Sequence, residues 1–256
     1  MEQVVIFIFG AIVGSFLNVV ILRYNTGQSL VKGGSRCFNC GHKLDWLELI
    51  PIFSFLFQAG RCRQCRSKIS WQYPIVEILT GIIFVLVFSI QLSAFNNFSF
   101  YFLLSTVYYL VIFSLLIIIA VYDFRHQIIP DLFVYTFIIL SFLSLFQVSN
   151  FKFQISSFLA GVAFFVFFAA IWFLTKGKGM GFGDAKLALG LGWFLGLEKG
   201  IWALMISFWL GAGVGIFLVF LFKKRYNIKS KIAFGPFMIL GLILSFFINN
   251  FLFNLI

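Results

Sequence analysis

Ile117-Ile118-Ile119-Ala120-Val121-Tyr122-Asp123 closes an apolar run that begins near residue 99 and meets no charge before its final aspartate. A helix needs roughly 20 such residues to cross the hydrocarbon core of a bilayer, so the stretch reads as a membrane span with an acid at its edge. An ionisable group there is costly and is a functional candidate by default. Asp184 stands in a similar place, in Gly179-Met180-Gly181-Phe182-Gly183-Asp184-Ala185-Lys186, just before another apolar segment. Carboxylates are scarce, with 8 Asp and Glu in 256 residues, which singles out these two.

Comparable runs lie to either side. Read together, they predict spans over about 4–22, 75–93, 99–122, 131–148, 153–175, 184–198, 201–222 and 233–254, the sixth being short and Gly-rich. The chain is 62% hydrophobic and 11% charged, whereas soluble domains carry about 25% charged residues. The expected fold is an all-α polytopic membrane protein of about eight transmembrane helices, with a cytoplasmic zinc-ribbon-like loop between the first and the second. It divides into a first helix (1–22), a four-cysteine loop domain (23–74) and a seven-helix domain (75–256). The first helix lacks a basic n-region and a small-x-small cleavage site, and so reads as retained.

The net charge of +11 is unevenly spread. With the N-terminus outside, 17 of the 19 Lys and Arg fall in inward loops, and only Lys152 and Lys199 face outward. The positive-inside rule selects this orientation and puts both aspartates at the cytoplasmic face. Topology and attraction to anionic lipid account for the basic excess, with no nucleic-acid partner required.

The polar segment carries all 4 cysteines, as Cys37-Phe38-Asn39-Cys40 and Cys62-Arg63-Gln64-Cys65. Two such knuckles complete a tetrahedral four-thiolate site for structural Zn2+, closed to catalysis. A reducing cytoplasm disfavours disulfides, and the neighbouring Arg36, Arg61, Arg63, Arg66 and Lys68 favour thiolate. A redox dithiol pair is the competing reading, and His42 reads as a solvent-facing loop residue.

Other residues have structural explanations beside functional ones. Gly10-Ala11-Ile12-Val13-Gly14 permits close helix approach, and Asn18 suits a hydrogen bond to a neighbouring helix. Glu77 lies within a turn of the helix opened by Pro74, where a carboxylate gains from the helix dipole; contact with substrate is its functional reading. Asp131 begins a helix and reads as a cap, whereas Asp123 sits at a helix C-terminus, where the dipole opposes a negative charge. The glycines before Asp184 match no phosphate loop; they let the backbone approach another helix or an extended peptide.

Rival hydrolytic centres are missing from the sequence: there is no HExxH, no GxSxG and only 2 His. Two neighbouring carboxylates can instead share a proton, one accepting from water while the other donates to the scissile group.

The ordered set Gly14-Ser15-Phe16-Leu17-Asn18-Val19, the two CxxC pairs, Tyr73-Pro74-Ile75-Val76-Glu77, Asp123 with His126-Gln127-Ile128-Ile129-Pro130-Asp131, Gly179 to Lys186, and Phe234-Gly235-Pro236-Phe237 resembles the bacterial type IV prepilin peptidases, of the GxGD group of membrane aspartyl proteases. The resemblance implies removal of the basic leader of type IV prepilins and pseudopilins, after a Gly, at the cytoplasmic face of the bacterial cytoplasmic membrane. It aligns Asp123 and Asp184 with the catalytic pair. It implies S-adenosylmethionine-dependent N-methylation of the new N-terminus, although the sequence has no Rossmann fingerprint. Glu77, Asp131, Gly181, Gly183 and Lys186 are expected to bind substrate or support the pair. The scarce acids Glu77, Asp131 and Glu48 are those open to a basic leader. The alternatives are a non-enzymatic zinc-ribbon assembly or transport component whose acids relay protons or bind a cation, and then a redox protein using the CxxC pairs.

Overall fold

The computed structural model describes residues 1–30, 33–95, 99–146, 154–221 and 233–253. Lys152, the basic Lys223-Lys224-Arg225 and the far ends of several expected spans lie outside them. The described residues are helical: α1 (Glu2–Arg23), α2 (Phe53–Phe57), α3 (Gln72–Phe95), α4 (Phe100–His126), α5 (Asp131–Leu143), α6 (Ile155–Leu174), α7 (Phe182–Leu221) and α8 (Gly235–Phe253). Strand pairing among them is confined to two isolated bridges. Five helices, α1, α3, α4, α6 and α7, are long and apolar enough to cross a membrane, and α5 and α8 are shorter apolar helices. The chain is an all-helical, multi-pass membrane protein.

It forms two compact units, Met1–Ile118 and Ile119–Ile256. In the first, α1 packs against α3. The small residues make this possible: a Cβ on Gly14 would stand 2.8 Å from the Glu77 Cα, and one on Gly10 the same distance from the Gly81 Cα. Asn18 is fully buried at the same contact. It donates to the carbonyls of Gly14 and Tyr73 and accepts from the Gln72 amide, so its polar atoms are satisfied inside the pair.

In the second unit, α7 packs against α5, α6 and α8. A straight helix of its 40 residues would be about 60 Å long, twice the hydrocarbon thickness of about 30 Å. Gly196 interrupts it, at φ 76° and ψ −172°, a backbone region that only glycine occupies readily. The expected gap at residues 199–200 is therefore a break three residues earlier.

A second boundary also moves. The helix expected to end at 122 continues through Phe124, Arg125 and His126, placing Asp123 in its final turn. The basic Arg125 and His126 complement the dipole there. Gln127, at φ 54°, then closes the helix by donating its N–H to the Asp123 carbonyl at 2.7 Å.

Candidate active site

Asp123 is brought in by the end of α4 and is only 4% exposed. Its carboxylate meets the start of α8, where the Gly235 N–H donates to it. The free amides of a helix N-terminus are a ready partner for an anion. The approach is close enough to exclude any side chain: a Cβ on Gly235 would stand 2.5 Å from Asp123 Oδ2. Phe234 fixes this helix start, its ring lying 5.1 Å from that of Phe208 and 6.2 Å from that of Phe168. Pro236 follows within the first turn, where a missing N–H costs little.

Asp184 sits in the first turn of α7 and is 7% exposed. Its Oδ2 accepts the Gly181 N–H at 3.2 Å, while its own N–H donates to the Gly181 carbonyl. This reciprocal pairing is half of a capping box, and the helix N-terminus supports the charge. Asp123 and Asp184 are both brought up to one side chain, Ile129, through Gly235 and Gly183. Ile129 is wedged beside them: a Cβ on Gly183 would come within 2.9 Å of the Ile129 Cβ, and one on Gly235 within 3.3 Å of its Cδ1. Gly181 has no such constraint, because a Cβ there would meet only an ordinary 3.6 Å contact.

Gly235 and Ile129 were not singled out by their residue types. Phe234-Gly235-Pro236 looks like an ordinary helix start, and an isoleucine before a proline is unremarkable; the Gly-Pro pair was the one local signal.

The capping role expected of Asp131 is not what the structure holds. Pro130 is the N-cap of α5, and no side chain caps that helix. Asp131 instead accepts from Lys186 Nζ at 2.6 Å, because the first turns of α5 and α7 lie side by side. Lys186 also lies 4.7 Å from the centre of the Tyr135 ring and 5.6 Å from that of Phe182. The pair is lopsided, with the aspartate side chain 67% exposed.

Glu77 belongs to the first unit. It is buried and accepts the Ile52 N–H at 2.7 Å. Glu48 is buried as well, accepting from the Asp45 N–H and pairing with His42 at 3.1 Å. Both differ from expectation. His42 is held by Glu48 rather than facing solvent freely, and Glu48 is not open at the surface to a basic leader.

The four cysteines come together from two copies of one turn. Arg36-Cys37-Phe38-Asn39-Cys40-Gly41-His42-Lys43 and Arg61-Cys62-Arg63-Gln64-Cys65-Arg66-Ser67-Lys68 have the same pattern. In each, the outer basic residues form a β-bridge, Arg36 with Lys43 and Arg61 with Lys68. In each, the first cysteine donates its N–H to the carbonyl five residues on. The four sulfurs lie within 4.8 Å of one another, with Cys37–Cys65 at 3.8 Å and Cys40–Cys62 at 4.0 Å. A tetrahedron with metal–sulfur bonds of about 2.3 Å has edges of about 3.8 Å, so these residues can hold one metal ion. The Ser67 hydroxyl and amide pull the Cys65 thiol down to about 5. Amides of Cys40 and Asn39 lower that of Cys37.

The fold is that of a multi-pass membrane protein with two buried acids at helix ends and a four-thiol cluster. Residues 8–90 match the bacterial peptidase A24 N-terminal domain, and residues 110–216 match the type IV leader peptidase family. The chain is 33% identical over 249 residues to the prepilin leader peptidase/N-methyltransferase of Bacillus subtilis, covering 94% of this chain and 92% of that protein. The protein of the same name from Myxococcus xanthus is 35% identical over 219 residues, which are 84% of this chain and 63% of the relative. That of Vibrio cholerae is 29% identical over 265 residues, covering 96% and 98%. No solved structure matches the chain. This chain belongs to the type IV leader peptidase family.

Proposed function

We propose that the chain is a membrane aspartyl endopeptidase that removes the basic leader of type IV prepilins and pseudopilins after a Gly, and that it also N-methylates the exposed N-terminus. The reading is supported by Asp123 and Asp184, two buried acids that each accept one backbone N–H and whose glycine neighbours, Gly235 and Gly183, both pack against Ile129. Such a pair shares a proton. The ionised member takes a proton from water as the water oxygen bonds to the scissile Gly carbonyl carbon. The protonated member gives its proton to the carbonyl oxygen; as the adduct collapses, the acid that took the water proton passes it to the amine nitrogen, the C–N bond breaks, and the other acid takes a hydroxyl proton from the adduct, which leaves as the carboxylic acid. Gly181 and Gly235 steady the acids through their N–H groups, Gly183 admits Ile129, and the Lys186–Asp131 pair ties α7 to α5. Glu77 supports the loop.

The count of eight spans follows if α7 is taken as two segments divided at Gly196, alongside α1, α3, α4, α5, α6 and α8. The loop charges favour a bacterial cytoplasmic membrane with the acids on the cytoplasmic side and anionic lipid as a neighbour. On this reading the chain divides into the first helix (1–22), the cysteine loop (23–74) and the helical protease domain (75–256). Cys37, Cys40, Cys62 and Cys65 would hold Zn2+ in a zinc-ribbon-like loop, with no coordination position left for catalysis. S-adenosylmethionine would supply the methyl group when bound; we assign it no residue.

Co-expression with a type IV prepilin tests the reading. Asp123→Asn and Asp184→Asn each leave the prepilin at its unprocessed mobility on a gel, whereas full processing by either variant contradicts the pair.

A further inference from the structure

Between Glu48 and Arg61 the loop carries no charge for twelve residues, Leu49-Ile50-Pro51-Ile52-Phe53-Ser54-Phe55-Leu56-Phe57-Gln58-Ala59-Gly60. This run lies in the loop's otherwise polar sequence. Phe55 is buried, but three of the run's large side chains are turned outward: Phe53 is 58% exposed, Leu56 63% and Phe57 87%. An apolar patch of this kind marks an interaction surface, and the depth of the segment identifies the partner.

That depth is set by Glu77. The span Gln72–Ala94 has 23 residues, about 34 Å of helix against a hydrocarbon core of about 30 Å, and as a membrane span it would put Gln72 near the membrane surface. Glu77 is a turn and a half further in, about 8 Å below it. The Ile52 N–H bonds to that carboxylate at 2.7 Å, which brings the apex of the loop segment down to the same level. The apex is a tight turn: the Phe53 N–H reaches back to the Pro51 carbonyl, and Ile52 takes φ 66° and ψ −55°. A β-branched residue there is strained, so the turn is imposed by its surroundings, and the Glu77 bond is one of its restraints. An interfacial segment buries its apolar face roughly 5–10 Å into the boundary between headgroups and acyl chains, which is the level reached here.

The flanks suit a phospholipid surface. An open cavity of about 380 Å³ beside α2 is lined by Phe55, Leu56 and Trp71 together with the cations Arg61 and Lys68. Aromatic rings and cations lining one cavity match the acyl boundary and an anionic headgroup. Trp71 itself directly precedes the α3 span.

We propose that residues 49–60 are a re-entrant interfacial segment that dips into the cytoplasmic leaflet, pinned there by Glu77, with anionic phospholipid as its partner. This holds independently of the catalytic reading. The full-length chain is reconstituted into vesicles of phosphatidylglycerol and phosphatidylethanolamine, with the photo-crosslinker p-benzoylphenylalanine in place of Phe57, Leu56 or Phe38. Phe38 is 82% exposed, outside the segment at the first cysteine knuckle, and serves as the reference. The expected result is a phospholipid adduct, read by mass spectrometry, at least fivefold more abundant at position 57 or 56 than at 38. Absent or equal labelling at both segment positions overturns the proposal. So does an adduct that moves from lipid to a co-reconstituted prepilin, which would make the face a substrate dock.

Discussion

Gly235 and Gly183 are held to glycine by their neighbours rather than by their torsion angles. A methyl group at 235 would meet the Asp123 carboxylate at 2.5 Å, and one at 183 the Ile129 Cβ at 2.9 Å. Displacement of a catalytic group by about 1 Å costs on the order of 100-fold in rate. Gly235→Ala is therefore expected to lower the initial rate of leader cleavage by about that factor while the protein still inserts. Gly181→Ala keeps the N–H that Asp184 uses and meets no close atom, so its cleavage rate stays near that of the parent. The Lys186–Asp131 pair is largely exposed on the aspartate side, where such pairs contribute about 0–1 kcal/mol. Lys186→Met should leave the thermal midpoint nearly unchanged. At this scale the two aspartates were readable because acids are so scarce in the chain. Their backbone partners were not, because a glycine's N–H carries no sequence signature of what it binds. The misplacement of Asp131 has the same origin: position at a helix start suggests a cap, while the lysine that claims it lies 55 residues away.

At the scale of elements, α7 decides how the second unit is built. Its break at Gly196 has φ 76° and ψ −172°, a conformation that costs a non-glycine residue on the order of 1–3 kcal/mol. Gly196→Ala should lower the thermal midpoint in detergent by an amount consistent with that cost, and an unchanged midpoint would count against a fixed break. The sequence placed the division slightly late because Glu198 and Lys199 look like the end of a span, while the backbone turns at Gly196 and passes through Gly200 as helix. The end of α4 moved for a related reason. Asp123 looks like a terminus because it is the first charge, yet helix geometry continues through Arg125 and His126, whose charges the dipole favours. The long helices were legible from apolar length, whereas the five-residue α2 inside the loop was not; the ends depend on single residues whose partners are remote.

For the whole molecule, the cysteine cluster belongs to the first unit and the acids to the second. The cluster should bind about one zinc per chain, measured by elemental analysis of the purified protein. Cys62→Ser, at the most buried of the four thiols, should abolish that zinc and make residues 23–74 sensitive to limited proteolysis; retention of full metal content would contradict the site. Loop charge gave the expected orientation and the paired CxxC spacing the expected metal, both being properties of the chain as a whole. What neither could supply was the packing of Gly183 and Gly235, the glycines beside the two acids, on the single side chain of Ile129. On the proposed mechanism these two acids act as one unit. Cleavage rates of Asp123→Asn, Asp184→Asn and the double variant, measured on a purified prepilin in nanodiscs, test it most directly. Residues acting as a unit are grossly non-additive: each single variant should lose cleavage by on the order of a thousandfold or more, with the double variant no worse than either. Substantial activity in one single variant, or losses that multiply in the double, would contradict it.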